Sequence, residues 1–232
     1  IILFPKGLLK ILQNPKITLF KQYNRDTDSP RVYYYNRNIE VDFYIPDRYD
    51  EGYGVSFKGI DWAAEGGFSL IITLDCGIKA IDKVKYAKSK GVDMIICDHH
   101  LPEDEIPGAV AVLDPKREDC NYPFDDLSGC GVGFKLITAL AMRGLGTMEQ
   151  VFDLLDLLAV SIAADIVPIT GENRVLAYFG LKQLNKHPRP GIEAILQHAN
   201  IRRRDDDTEN IEDENVLTRD LAISDLVFLI GP

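Results

Sequence analysis

The sequence predicts an α/β fold, in which a mostly parallel sheet is flanked by helices and is followed by a mainly helical segment. Short apolar runs alternate with amphipathic stretches over the first half of the chain, as in proteins whose strands alternate with helices. Residues 68–74 are almost entirely apolar, as expected of a strand that is covered on both faces of a parallel sheet. Residues 68–97 read as strand, helix and strand, and their length fits a right-handed βαβ unit of about 30 residues.

The composition is that of an ordinary soluble globular protein. The 232 residues suffice for one large domain, or one domain with an appendage, around a substantial core. No apolar run approaches the roughly 18 residues that a membrane span needs, and the first residues lack the layout of a signal peptide, so a cytoplasmic location is expected. The four cysteines are too scattered for a CxxC pair, which argues against a zinc ribbon and a disulfide framework.

The chain is acidic, with a formal net charge of −10. This charge argues against a surface that binds nucleic acid over its whole extent, because phosphate binding requires a basic footprint. It leaves room for a local basic channel. It is also compatible with a cluster of carboxylates that holds divalent cations.

The first half of the chain carries the predicted sheet. Five segments rich in β-branched, aromatic and other apolar residues are predicted as strands, namely residues 16–20, 41–45, 68–74, 92–97 and 110–113. Residues 57–65 form a weakly helical stretch. Ile81, Val84 and Ala87 recur at helical spacing among lysines, so residues 81–90 are predicted to form an amphipathic crossover helix that ends at Gly91.

The second half is predicted to be mainly helical, with helices at residues 134–142, 148–164, 176–184 and 192–199. The small residues from Ser128 to Gly133 open the first of these helices. They either bring backbone N–H groups to an anion or let the helix end pack closely on the sheet. Arginines 202–204 beside aspartates 205–207 are predicted to form a solvated loop, and an apolar segment follows at residues 220–232.

Side chains that can bind metal ions or take part in catalysis follow the carboxyl ends of several predicted strands. Asp26 follows the first strand, Asp75 the third, and Asp98, His99 and His100 the fourth. Ligands of open parallel sheets bind at this edge. Two ordinary readings remain, because Asp26 is also a common turn residue and Asp98 could cap the following turn. The coincidence at one edge of the sheet favours a shared site.

The predicted donors suit a hard divalent cation. Asp165 joins the candidates because it lies in apolar company, where a charged group needs a partner or a metal. Carboxylate and imidazole donors without a thiolate cluster favour Mn²⁺ or Mg²⁺ over structural zinc. Two such ions would polarise a phosphoryl group and generate a hydroxide nucleophile. Asp75 is suited to bridging two ions, His99 to binding one of them, and His100 to donating to a phosphate oxygen or fixing its neighbour's tautomer.

Three motifs resemble those of the DHH phosphoesterase family. In chain order they are Leu74-Asp75-Cys76-Gly77, Asp98-His99-His100-Leu101-Pro102 and Ala164-Asp165-Ile166-Val167-Pro168. Further stretches are similar to one branch of the family, the bacterial exonucleases specific for single-stranded DNA. They lie at residues 44–48, 51–54, 114–116, 131–135 and 170–174. The resemblance covers roughly residues 41–232.

The resemblance implies a nuclease of recombination and repair that degrades single-stranded DNA from the 5′ end with Mn²⁺ or Mg²⁺. By position, it implies that Asp75, His99 and Asp165 are metal ligands. It places His100 beside the scissile phosphate as a catalytic residue, together with the three ligands. Asp98 is implied to support the histidines instead of binding metal directly.

The resemblance also implies a division of the chain. Residues 1–200 would form the DHH-type metal-binding domain. Residues 201–232 would form a charged loop and the start of a connecting element. A second domain of the catalytic core and a nucleic-acid-binding barrel would lie beyond them and supply the basic grip on DNA.

The front of the chain departs from the family pattern. The family's first motif is an Asp-Tyr-Asp-x-Asp-Gly loop, whereas residues 22–27 read Gln-Tyr-Asn-Arg-Asp-Thr, so only Asp26 fits a ligand position. Either this region is degenerate, or part of it is missing from the sequence. Two other functions therefore stay open: a DHH-type phosphatase of short oligonucleotides or small phosphate esters, and a catalytically dead relative that acts as a binding module.

Overall fold

The structure, a computed structural model, describes residues 16–21, 40–202 and 217–230. Its centre is a parallel sheet of five strands, in the spatial order β2-β1-β3-β4-β5. The strands are β1 (Lys16–Lys21), β2 (Glu40–Tyr44), β3 (Leu70–Leu74), β4 (Asp93–Cys97) and β5 (Ala111–Leu113). Helices flank this sheet and dominate the chain after β5, which confirms the predicted fold class.

The helices are α1 (Phe57–Glu65), α2 (Ile81–Ser89), α3 (Gly129–Leu140), α4 (Met148–Phe152), α5 (Leu155–Ala164), α6 (Gly171–Lys186) and α7 (Pro190–His198). A two-stranded parallel sheet pairs β6 (Ile201–Arg202) with β7 (Leu217–Thr218). The short helix α8 (Ile223–Asp225) then runs into a π-helical turn, Leu226–Ile230. None of the helices in the described ranges is both long and apolar enough to cross a membrane.

Alternate residues of the central strands face two separate cores, as the period of two in a strand requires. Leu70, Ile72 and Leu74 of β3 face the larger core, which α3, α5 and α6 complete. Ile71 of β3 and Ile96 of β4 face the smaller core, which α1 and α2 cover. Strands β3 and β4 are thus buried on both faces, apart from the exposed Asp93 at the start of β4, which leaves the ends of these strands as the place for functional side chains.

The βαβ unit predicted from the sequence is present as β3, α2 and β4. Register along the sheet pairs Leu74 with Cys97, and Cys97 with Leu113. The last residues of β3, β4 and β5 therefore stand level with one another. Whatever follows these three strands is brought to one edge of the sheet.

Three helices differ from the prediction, one of them being α6, which begins at Gly171, five residues before the expected start at residue 176. The helix expected at residues 134–142 begins five residues earlier at Gly129, because Ser128 caps it by accepting a hydrogen bond from the Gly131 N–H. The helix expected at residues 148–164 is broken between α4 and α5. The Asp153 carbonyl, released at the break, accepts hydrogen bonds from Gln183 and Arg189 instead.

Candidate metal centre

Three aspartates follow the neighbouring strands β3, β4 and β5 in register. The Asp75 N–H donates to the Cys97 carbonyl and the Asp98 N–H to the Leu113 carbonyl, so the strand ladder continues one residue beyond each strand. Asp114 follows β5 at the same level. The parallel sheet therefore gathers Asp75, Asp98 and Asp114 at its carboxyl edge.

Asp75, His99 and His100 converge at this edge. Each offers one ligand atom, and these atoms lie within 4.8 Å of one another. Asp165, at the carboxyl end of α5, approaches the same place from the helical half, where its charge acts on that of Asp75 and His99. The structure thus brings together four of the five candidates from the sequence. Asp26 lies outside the described residues.

His99 is held in one orientation by the backbone. Its Nδ1 lies 2.9 Å from the Leu127 carbonyl oxygen, which can only accept, so Nδ1 carries the proton. The other nitrogen, Nε2, then lies 3.1 Å from Asp75 Oδ1. Burial opposes protonation of the ring, but the carboxylates of Asp75 and Asp165 outweigh it and raise the pKa of His99. A ring fixed in this way presents Nε2 as a metal donor.

Asp75 occupies an unusual position for a carboxylate. Its backbone is left-handed, with φ of 61°, which few residues other than glycine adopt. Its Oδ1 is buried and faces His99 Nε2 at 3.1 Å; because the His99 proton is on Nδ1, this oxygen accepts no hydrogen bond from the described residues. Gly129 packs directly on it, and a Cβ at position 129 would come within 2.5 Å of Asp75 Cβ. Gly129 supports both sequence-based interpretations of the glycine-rich stretch, because it packs closely on Asp75 and its backbone N–H meets the carboxylate of Asp165.

Asp165 is tied to the same helix end. Its Oδ2 accepts a hydrogen bond from the Gly129 N–H at 3.1 Å and lies 3.5 Å from the Ser161 hydroxyl. Burial and the neighbouring Asp75 charge raise the pKa of Asp165, because two close carboxylates disfavour each other's ionisation. A cation between the two carboxylates would remove this repulsion.

Asp98 supports both histidines. Its side chain is almost completely buried and accepts hydrogen bonds from the backbone N–H groups of Ile78, His99 and His100. Its Oδ1 also lies 2.6 Å from His100 Nδ1. Burial disfavours the Asp98 anion, yet these hydrogen bonds, led by that of His100, keep the pKa of Asp98 below its usual value. The Asp98 carboxylate in turn raises the pKa of His100.

Asp114 was not among the predicted site residues. Only 3% of its surface is exposed, and its Oδ2 has no hydrogen-bond partner in the described part of the chain. Burial raises the pKa of Asp114 to about 6. The in-register position after β5 was a signal that could have found it. Its burial could not be read from the sequence, because it depends on the loop that returns from β5 to α3.

The donor set fits a hard divalent ion. It consists of carboxylate oxygens and one fixed imidazole nitrogen, and it includes a buried oxygen that lacks a hydrogen-bond partner among the residues described. A buried carboxylate oxygen without a donor is unfavourable unless a cation completes its environment. Asp75, His99 and His100 could hold such an ion, and the Asp165 carboxylate lies near them.

Comparison with known proteins agrees with this architecture. Residues 16–162 match the model of the DHH family, N-terminal domain. The chain is 42% identical over 191 residues to the single-stranded-DNA-specific exonuclease RecJ of Bacillus subtilis, covering 81% of this chain and 24% of that protein. It is 38% identical over 202 residues to RecJ of Escherichia coli, covering 83% of this chain and 32% of that protein. The chain thus spans about a quarter to a third of these relatives.

Solved structures share the fold. A crystal structure of exonuclease RecJ bound to manganese superimposes with a TM-score of 0.75 at 24% identity, covering 99% of this chain and 57% of that one. RecJ from Thermus thermophilus in complex with Mn²⁺ gives a TM-score of 0.71 at 21% identity, covering 100% of this chain and 32% of that one.

Proposed function

The chain belongs to the DHH family, and from this membership we propose that it is the catalytic N-terminal part of a metal-dependent exonuclease that degrades single-stranded DNA from the 5′ end. The RecJ enzymes of Bacillus subtilis and Escherichia coli, at 42% and 38% identity, support this choice within the family. The reaction is hydrolysis of a phosphodiester bond. It would serve DNA recombination and repair, in the cytoplasm.

One observation carries the proposal. Ligand atoms of Asp75, His99 and His100 meet within 4.8 Å at the carboxyl edge of the sheet, where Asp165 joins them from α5. These are the side chains that the family motifs single out, and they come from distant parts of the chain. A shared catalytic task explains this convergence better than four independent structural roles do.

Asp75, His99 and Asp165 would hold Mn²⁺ or Mg²⁺, and Asp26 is proposed as a further ligand from the sequence. Bound there, two such ions would lower the pKa of a coordinated water and neutralise charge on the phosphate. The protein keeps the donors in place beforehand. Leu127 holds the His99 ring, and the Gly129 N–H holds Asp165.

His100 is suited to a different task from His99. Its side chain is 51% exposed, and its Nδ1 is engaged by Asp98 at 2.6 Å. When the ring is protonated on both nitrogens, the opposite nitrogen, Nε2, can donate a hydrogen bond to a phosphate oxygen. Asp98 raises the pKa of His100, so the protonated ring persists to higher pH than a free imidazole would.

We further propose that residues 1–200 form the metal-binding domain and that the positively charged surface that binds DNA belongs to another part of a longer protein. The net charge of −10 supports this division, because single-stranded DNA requires positive charge along its path. The boundary at residue 200 stays a prediction.

The test is Asp75→Asn, which keeps the shape of the side chain and removes its charge. Mn²⁺-dependent release of nucleotides from a single-stranded oligonucleotide should fall by at least about a hundredfold, because a central ligand is lost. Asp93→Asn is the matched control, since Asp93 is an exposed carboxylate at the opposite end of β4. Oligonucleotides blocked at the 5′ or the 3′ end establish the direction.

Undiminished activity of Asp75→Asn would refute the proposal. Hydrolysis of dinucleotides but not of long single-stranded DNA would instead support a DHH-type phosphatase of short oligonucleotides. If the unaltered protein neither binds Mn²⁺ in calorimetry nor degrades DNA, the result would support a catalytically inactive relative that acts as a binding module.

A further inference from the structure

We propose that Asn173 is a positioning residue of the metal centre, which aligns His99 and Asp165 at the same time by holding the two loops that fix them. This inference rests on the proposed function only in taking these two residues as metal ligands. Asn173 lies in the first turn of α6 and is completely buried. It belongs to the Thr170–Arg174 stretch, to which the site described above assigns no role.

The Asn173 amide bridges two loops. Its Nδ2 donates to the Asp126 carbonyl at 2.6 Å and to the Pro168 carbonyl at 3.0 Å. Both partners are carbonyl oxygens, which only accept, so the orientation of the amide is fixed by its chemistry. Its own Oδ1 is buried without a hydrogen-bond partner in the described ranges. Leaving such an acceptor unsatisfied is unfavourable, so the two donated bonds are what this side chain contributes.

The first of these loops determines the orientation of His99. Asp126 immediately precedes Leu127, whose carbonyl accepts the His99 Nδ1 proton at 2.9 Å. Residues 114–128 contain no helix or strand, so the Leu127 carbonyl is positioned by its contacts alone. A shift of Asp126 would move the acceptor of His99, and with it the direction in which Nε2 points.

The second loop carries Asp165. Pro168 lies three residues after Asp165, and between them Ile166 adopts a left-handed backbone with φ of 53°. Such a conformation persists in a non-glycine residue only where the surroundings hold it. The bond from Asn173 to the Pro168 carbonyl closes this turn against α6.

Neighbours in the first turn of α6 reinforce the first loop. Glu172 accepts a hydrogen bond from the Tyr122 hydroxyl at 2.6 Å and pairs with Lys135 of α3. Gly171 packs on Phe124, where a Cβ would come within 2.7 Å of the ring. The loop is therefore held at Tyr122, Phe124 and Asp126 by three consecutive residues of α6. Asn173 is the member of this set that also reaches the Asp165 side.

The experiment compares Asn173→Asp with Asn185→Asp in the full chain. Aspartate has the shape of asparagine but no N–H donor, so each change removes two bonds to carbonyls. Asn185 matches it in the bonds it donates, because its Nδ2 donates to the carbonyls of Leu181 and Leu221 from the same helix; it is only partly buried, and its Oδ1 also accepts from the Leu221 N–H. It lies about 18 Å further along the axis at 1.5 Å per residue. Asn173→Gln, with both donors one methylene further out, is the milder variant should Asn173→Asp fail to fold.

The first readout needs no metal. Hydrogen–deuterium exchange of the metal-free chain should accelerate by about tenfold or more in residues 114–128 and 165–170 of the Asn173 variant, relative to the rest of the chain. In the Asn185 variant these loops should keep their protection relative to the rest. Equal acceleration of the loops in both variants would reduce Asn173 to an ordinary stabilising residue and overturn the proposal.

The second readout is Mn²⁺ affinity by calorimetry. Asn173→Asp should weaken binding by about 10–100-fold, the range found when a supporting partner of a metal ligand is lost. Asn185→Asp should stay within about twofold of the unaltered chain. If the unaltered chain binds Mn²⁺ and Asn173→Asp binds it equally well, this inference fails while the proposed function stands. If the unaltered chain binds none, the metal site fails, and the exchange experiment alone decides the role of Asn173.

Discussion

Adjacent residues of the DHH signature have opposite environments, and the difference follows from what each ring contacts. The His99 side chain is 11% exposed and is held by a backbone carbonyl, whereas that of His100 is 51% exposed and is held by a carboxylate. The two rings meet edge to face, with centroids 4.7 Å apart. A neutral acceptor on Nδ1 leaves Nε2 of His99 as a metal donor, and an anionic partner raises the pKa of His100 and so favours its protonated form.

Asp114 gives a prediction of pH dependence at the residue scale. Its folded-state pKa of about 6 lies above the ordinary value of 3.8, so the folded chain keeps a proton that the unfolded chain has released. The contribution of Asp114 to the free energy of unfolding of the metal-free protein should therefore fall as pH rises from about 4 to 6. Asp114→Asn should remove this fall and gain about 1–3 kcal/mol at pH 7, as urea denaturation at several pH values would measure.

The control for this prediction is Asp119→Asn. Asp119 is an exposed carboxylate whose pKa is lowered by its hydrogen bonds with Arg117, so its charge is favourable in the folded state. Its replacement should give no gain at pH 7. A gain for Asp114→Asn that is equally large at pH 4 would show that relief of a buried charge is not the cause.

At the scale of the elements, α5 and α6 pack extensively and closely against each other in the described part of the helical half. Gly180 of α6 packs against α5 so closely that a Cβ would overlap the Leu155 carbonyl and lie 2.6 Å from Ala159 Cβ. The backbone of Leu155 cannot rotate away as a flexible side chain can. This contact fixes the position of α5, and α5 carries Asp165 at its end.

Gly180→Ala should therefore destabilise the chain, although alanine favours a helix by about 1 kcal/mol over glycine. Overpacking of this kind costs about 1–3 kcal/mol, so the net loss in the free energy of unfolding should be about 2 kcal/mol or less. Gly191→Ala in α7 is the matched control, because nothing lies within 4 Å of the point that its Cβ would occupy. It should gain about 0.5–1 kcal/mol in the same urea titration, and a gain at Gly180 would contradict the packing argument.

At the scale of the whole molecule, the candidate ligands come from three separate elements: β3, β4 and α5. An ion bound by all three would connect the sheet to the helical half. Mn²⁺ at about a hundred times its Kd should stabilise the fold by about 2.7 kcal/mol, or roughly 5–10 °C in Tm. Calorimetric melting with Mn²⁺ and with a chelator measures the shift. Asp75→Asn should abolish it, and a full shift in that variant would place the ion elsewhere.

The sequence predicts the sheet side of this site well and the loop side poorly. Asp75 and His99 were predictable because each ends an apolar run in a βαβ unit, and parallel strands bring such ends together. The acceptor of His99 was not, because a backbone carbonyl such as that of Leu127 has no signature in side-chain chemistry. The start of α3 at Gly129 was missed for a similar reason. Glycine disfavours helices, and Gly129 is tolerated in this one because Asp75 leaves no room for a side chain.

The support that Asn173 gives to the loop before α3 has a consequence for the order of events during synthesis. His99 is made roughly 70 residues before the asparagine that holds its acceptor loop, and loop closure over such a distance is slow compared with local helix formation. A nascent chain that has formed only the sheet would carry the signature residues without their final alignment. The chain would thus become able to bind the ion only after α6 has packed against the rest of the fold. Binding of a metal ion by an incompletely synthesised chain would be disfavoured.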